Sequence, residues 1–266
     1  MHGLSALCCN MLKFPSLLLF VIANGCGFAQ EKTPAVPESI STFKFQNTIG
    51  DIPVPTGYTR VPAVVGSFAA WLRAVALKKD KTVYLYNGKL KSNQSAQFAV
   101  LDISVGTKDL QQCADAVMRL RAEYLYARKK YSDIAFMDYS GKWYRWSGAA
   151  NRHGFDNYLQ KVFGWCGSAS LEKQLGPVID FNTIKAGDVL VKGGFPGHAM
   201  TVVDVAINNK GNKVYMLVQG YQPAQDIHVL VDPVNDTMSP WYEVTDMEEI
   251  ITPEWRFMKK NLKTWE

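Results

Sequence analysis

The chain has 266 residues, of which 47% are hydrophobic and 20% charged, and its formal net charge is +5. That composition supplies a sizeable core and excludes wholesale disorder. Basic residues are spread along the chain rather than clustered, so no nucleic-acid footprint is indicated.

Residues 1–29 read as a secretion signal. Lys13 supplies a positive n-region. Leu17-Leu18-Leu19-Phe20-Val21-Ile22-Ala23 supplies an apolar h-region too short to span a bilayer. Two processing sites stand open. Gly27-Phe28-Ala29 suits ordinary cleavage before Gln30, whereas Ala23-Asn24-Gly25-Cys26 resembles a bacterial lipobox with Cys26 as the lipidated residue. The expectation is an exported protein, soluble in the periplasm or tethered to the cell envelope, with Cys26 as its one route to a membrane. Residues 30–56, with Pro34, Pro37, Pro53 and Pro55, read as a linker with a short ordered end.

Residues 57–266 read as a single α+β domain: helices first, then an antiparallel sheet. Ser67 is placed to cap a helix running through Trp71 to Leu77. Val83-Tyr84-Leu85-Tyr86 reads as a strand closed by an Asn87-Gly88 turn, and Phe98 to Val105 as a second strand. Asp109 is placed to cap a long helix, with Gln112 completing a capping box. Its apolar stripe runs through Leu110, Cys113, Val117, Leu120 and Tyr124, which makes Cys113 a small buried hydrophobe. A hairpin joins Ile134–Tyr139 to Trp143–Trp146, and Phe155 to Phe163 is a helix. Cys166 then opens the next helix. From Asp188 the chain is strand-rich, with a turn at Asn208-Asn209-Lys210-Gly211-Asn212 between the His198 strand and Val214–Gln219, and a further strand from Ile227 to Val231.

The chemistry concentrates at two points. A cysteine at a helix start has its thiolate favoured by the helix dipole and by unpaired N–H groups. A histidine at the mouth of an apolar strand, after Pro196-Gly197, can serve as its base. Cys166, His198 and, as the group orienting the imidazole, Gln219 form the expected catalytic set. Gln222 and His228 are alternatives to Gln219. Gly167 is expected to let backbone N–H groups approach a substrate oxyanion. Trp143, Tyr144 and Trp146 have the chemistry to stack on sugar rings or to pack in the core. The four histidines and the cysteines show no metal-ligand spacing, and no cofactor is indicated.

Gly187-Asp188-Val189 followed by Gly197-His198-Ala199-Met200-Thr201-Val202-Val203 resembles the core of the NlpC-type cell-wall endopeptidases and CHAP amidases. The resemblance covers about residues 155–232. It implies a papain-like fold of helices packed on an antiparallel sheet, and a cysteine hydrolase acting on peptidoglycan or peptide amides, with Gln160, six residues before Cys166, at the spacing of the papain-like oxyanion glutamine. Those enzymes place an acid or an amide before the nucleophile, where this chain has Trp165. Matching Cys166-Gly167-Ser168-Ala169 onto the papain motif instead puts Ala169 at the nucleophile position. That alignment implies a non-catalytic envelope protein binding a cell-wall peptide or glycan fragment. Over nearly its whole mature length the chain also resembles an uncharacterised bacterial family, domain of unknown function 4846. The residues that carry this are Gly66-Ser67-Phe68-Ala69-Ala70-Trp71, Arg119-Leu120-Arg121-Ala122-Glu123-Tyr124 and Gln222-Pro223-Ala224-Gln225-Asp226-Ile227-His228.

Overall fold

Strand β7, His198–Asn208, is the spine of the molecule: its first nine residues are all buried. A strand apolar on both faces needs cover on both sides, and the chain provides it. The computed structural model describes residues 47–148 and 150–265, which belong to one compact unit, Lys44–Glu266. The signal segment, Cys26 and most of the proline-rich linker lie outside the described residues.

In chain order the elements are β1 (Tyr58–Arg60), α1 (Phe68–Arg73), β2 (Gln97–Val100), α2 (Cys113–Ala127), the hairpin β3 (Ala135–Met137) and β4 (Trp143–Arg145), α3 (Arg152–Trp165) and α4 (Ser168–Gln174). There follow β5 (Gly176–Pro177), β6 (Val189–Lys192), β7, β8 (Lys213–Gln219), β9 (His228–Leu230), β10 (Tyr242–Glu243), β11 (Glu249–Ile251), β12 (Arg256–Met258) and β13 (Leu262–Thr264). Nine strands form one antiparallel sheet in the order β2-β9-β8-β7-β6-β13-β5, with β1 added to β7 and β10 to β8. The β7–β8 turn follows from its residues. Asn208 Oδ1 accepts from the Lys210 and Asn212 N–H groups, and Gly211 supplies a positive φ of 86°.

Alternation along the strands sorts the core into two layers. Val214, Met216 and Val218 of β8, with Ala199 and Val203 of β7, face α1, α2 and α4. Tyr215 and Leu217, with Met200 and Val202, face Phe181, Ile184, Ile250 and Phe257. The structure is thus an α+β protein with a large antiparallel sheet whose helices lie on one face. No helix among the described residues is long and apolar enough to cross a membrane.

A register shift in β7 between Val202 and Asp204 breaks the alternation. The bulge turns Asp204 to the helix side beside Val203. There the carboxylate, wholly buried, takes Arg60 Nε at 2.6 Å on one oxygen and Arg73 Nε at 2.7 Å on the other. This pairing ties β1 and α1 to the spine.

Several boundaries differ from the sequence reading. Ile49 and Ile52 are fully buried, so ordered core begins ahead of Gly57. Tyr84 and Leu85 make only isolated bridges, to Leu90 and Gln225, because the Asn87-Gly88 turn is not followed by a run long enough to pair. Cys166 ends α3, its N–H bonded to the Val162 carbonyl, and α4 begins after the Gly167 cap. The long helix α2 starts at Cys113 rather than near Asp109.

Asp204→Ala should lower unfolding free energy by roughly 3 kcal/mol, since it strands two partly buried guanidinium groups. Urea denaturation checks this, and a loss below about 1 kcal/mol would mean that the pairing contributes no more than a surface ion pair.

Candidate functional site

Three strand ends meet at one edge of the sheet. His198 opens β7, Gln219 closes β8 and His228 opens β9, with Gln219 and His228 directly opposed in register. All three are buried. They lie on the sheet face opposite α2, since His198 alternates with Ala199 and Gln219 with Val218. His198 Nε2 lies 2.9 Å from Gln219 Oε1. The Gln219 amide nitrogen donates to Glu254 Oε2 at 2.8 Å and lies 3.3 Å from His228 Nε2. His228 Nδ1 is bonded to the Asp226 carbonyl at 2.9 Å. Glu254 sits in the β11–β12 turn, and its other oxygen takes Lys91 Nζ at 2.6 Å.

Aromatic rings enclose the His198 imidazole. Centroids of Tyr221, Trp255 and Phe257 stand 4.9, 5.1 and 5.9 Å from it. Burial is the main cause that lowers His198 to about 4, only partly offset by Gln219 and Glu254. Burial likewise lowers His228 to about 4, against the Asp226 carbonyl that favours its charged form. Both imidazoles are therefore neutral at pH 7.

Of the two described thiols, the one nearer this cluster belongs to Cys113, the first residue of the 15-residue helix α2. The shift in helix start has a local cause. Asp109 Oδ1 is taken up by the Ala224 N–H at 2.7 Å and by Gln112 Nε2 at 3.1 Å, so it cannot cap. Capping passes to Asp115, which accepts from the Gln112 N–H at 3.0 Å. Cys113 thus stands at the helix mouth rather than a turn inside it. The backbone N–H groups of Ala114, Ala199 and Cys113 itself favour its thiolate, and Ala199 follows His198 in the chain. Burial, reinforced by Asp115, nonetheless raises the thiol to about 11. Tyr221 links the two groups. Its hydroxyl is pushed up by burial, then by Glu254 and by Cys113. No hydrogen bond joins the Cys113 thiol to either His198 nitrogen among the described residues.

Cys166 is placed elsewhere. It is buried among the helices, and burial, then Asp138 and Asp115, push its thiol up to about 12. Its neighbours include Tyr144 and Tyr158, whose hydroxyls it helps to raise. Gly167 caps α4, where its N–H meets the Ser170 hydroxyl. Gln160 accepts from Lys108 at 2.8 Å and lines a separate cavity of about 360 Å³ with Arg119 and Arg152. Gln222 is exposed beyond the β8 exit. The structure therefore gathers His198, Gln219 and His228, and leaves Cys166, Gly167 and Gln160 apart from them. Sequence reasoning missed Cys113, Tyr221, Lys91 and Glu254. Both described cysteines are free thiols, and no group of described residues could hold a metal ion.

Fold and cluster define an α+β protein with a buried histidine–amide–carboxylate chain at one sheet end, beside a thiol at a helix start. The chain belongs to the family described as domain of unknown function (4846), which matches residues 50–151 and 140–264. No curated protein and no solved structure matches it.

The two histidines give the fold an acid limit. Unfolded histidines take up protons near pH 6.5, whereas His198 and His228 resist protonation down to about 4. Their contribution is complete above the unfolded value and is lost as pH falls from about 6.5 toward about 4. Urea midpoints measured between pH 7 and pH 5 should fall, with a slope approaching about 1.4 kcal/mol per pH unit for each histidine. His228→Asn should remove about half of that slope, and a flat wild-type profile would contradict the burial of both neutral imidazoles.

Proposed function

We propose that this protein is an exported thiol hydrolase on a papain-like core, acting on amides of peptidoglycan or peptides, with Cys113 as nucleophile. The observation that carries the reading is the setting of Cys113. It opens α2, and the Ala199 N–H is among the groups that favour its thiolate, while His198, one residue before Ala199, has its Nε2 engaged by Gln219 and its Nδ1 without a hydrogen bond among the described residues. Cys113 takes the role that the sequence alone suggested for Cys166.

The chemistry follows from those positions. His198 Nδ1 accepts the thiol proton as sulfur attacks the substrate carbonyl, and a C–S bond forms. The first-turn N–H groups of Cys113 and Ala114 would serve as donors to the developing oxyanion. Collapse breaks the C–N bond, and His198 returns its proton to the leaving amine. Water, deprotonated by His198, then cleaves the thioester and releases the acid. Because the resting thiol and imidazole are both neutral, proton transfer accompanies attack rather than preceding it.

A second reading has its own support. The raised Cys113 thiol and the lack of a hydrogen bond to His198 suit a non-catalytic envelope protein, in which the same edge holds a cell-wall peptide or glycan fragment.

The test is turnover of stem-peptide muropeptides together with iodoacetamide mapping. Cys113→Ala should lower turnover roughly 10⁵-fold or more, the scale of losing a covalent nucleophile. Cys166→Ala should stay within about threefold, as expected of a residue off the reaction path. Alkylation should fall on Cys113. Muropeptide binding with no product, and no effect of alkylation on it, would instead establish the binding reading.

A further inference from the structure

We propose that Glu254, held by Lys91, is a positioning residue that fixes the His198 tautomer through Gln219, so that Nδ1 is the imidazole's free lone pair. This rests on His198 acting as the base of Cys113 under the reading above.

The argument is an accounting of donors and acceptors along a buried chain. A neutral imidazole has one N–H and one lone pair, and which nitrogen holds which is set by its partners. His228 comes first. Its Nδ1 faces the Asp226 carbonyl, which can only accept, so the proton sits on Nδ1 and Nε2 is an acceptor. The Gln219 amide then meets two acceptors on one side: His228 Nε2 at 3.3 Å and Glu254 Oε2 at 2.8 Å. Its NH₂ group has a hydrogen for each. The flipped amide would set its oxygen against a carboxylate and a lone pair at once, in a site with little water to screen them. Gln219 Oε1 must therefore face His198, and His198 Nε2 must carry the proton at that 2.9 Å contact. The remaining nitrogen, Nδ1, is left as the base.

Glu254 is the strongest acceptor in this chain, and it is itself held. Lys91 Nζ donates to its other oxygen at 2.6 Å and to the Asn93 carbonyl at 2.8 Å, while Asn93 Nδ2 reaches the same carboxylate oxygen at 3.2 Å. Lys91 and Glu254 are both largely buried, with side-chain exposures of 6% and 14%. Trp255 and Phe257 follow Glu254 in sequence and cover the His198 ring. One short turn thus supplies both the electrostatic anchor and the apolar cover. Glu254 makes no hydrogen bond to the Cys113 thiol or to His198 among the described residues; it sets the tautomer through the Gln219 amide, and its charge also favours the protonated imidazole directly.

The experiment pairs ¹⁵N-histidine NMR, which reports the tautomer directly, with the rate of Cys113 alkylation by iodoacetamide as a function of pH. In the wild type His198 should show the Nε2–H form. The double variant K91M/E254M removes the carboxylate without leaving a buried ammonium unpaired. It should show a mixed His198 tautomer and alkylate Cys113 about 10-fold to 100-fold more slowly, the scale seen when outer hydrogen-bond partners are lost. K91M/E254Q keeps an amide oxygen facing Gln219, with its NH₂ directed to the Asn93 carbonyl that Lys91 vacates, and should stay within a few-fold of wild type. A folded K91M/E254M protein with the wild-type tautomer and rate would overturn the proposal. So would a wild-type protein with the proton on Nδ1, whether or not the variants fold. A wild-type Cys113 that resists iodoacetamide would defeat the hydrolase reading, while the tautomer measurement would still decide the role of Glu254.

Discussion

The first turn of α2 rests on the exit of β8 because residue 220 has no side chain. A Cβ on Gly220 would lie 2.9 Å from the Gln112 carbonyl oxygen and 3.0 Å from the Ala116 side chain. The first of these is backbone, which cannot swing away. Any larger residue would push the helix mouth that carries Cys113 away from the sheet. The same glycine divides Gln219, which holds His198, from Tyr221, whose ring stands against it. One missing methyl thus couples the position of the helix to that of the imidazole.

Around this seat the structure spends desolvation freely but leaves few polar atoms of the cluster unpaired. His198, Gln219, His228, Glu254 and Lys91 alternate donors with acceptors from the sheet edge to the β11–β12 turn. Buried polar chains of this kind stabilise a unique arrangement only when each member is satisfied. The cost of burial is visible in the histidines, both held far below their ordinary range. The Asp204 pairing solves the same problem on the other sheet face, where two arginines and a backbone N–H share one carboxylate.

Much of the fold was legible where local physics decides. The β7–β8 hairpin follows from two apolar runs and an Asn-rich turn. Ser67 caps α1 through the Ala70 N–H at 3.2 Å, as its residue type suggests. Helix starts were harder to read. Asp109 has the chemistry of a cap, but the Ala224 N–H, 115 residues away, claims its carboxylate. That long-range bond moves the start of α2 to Cys113 and changes the meaning of this residue. Cys166 shows the opposite: it reads as the opening residue of a helix, whereas α3 continues to Trp165 and Cys166 is its buried C-cap.

By itself, then, the sequence determined the β6 to β9 strands, the α2 and α3 helices in outline, the location of His198 at a strand mouth and the choice of Gln219 as its neighbour, with His228 and Gln222 as alternatives. Periodicity and turn chemistry act over a few residues, and these features need nothing more. Only the tertiary structure decided which thiol stands near the histidine, and that Glu254 and Lys91 close the chain. Lys91 and Glu254 lie 163 positions apart. Their pairing depends on a distant turn folding back over the sheet edge, and no local pattern encodes that return.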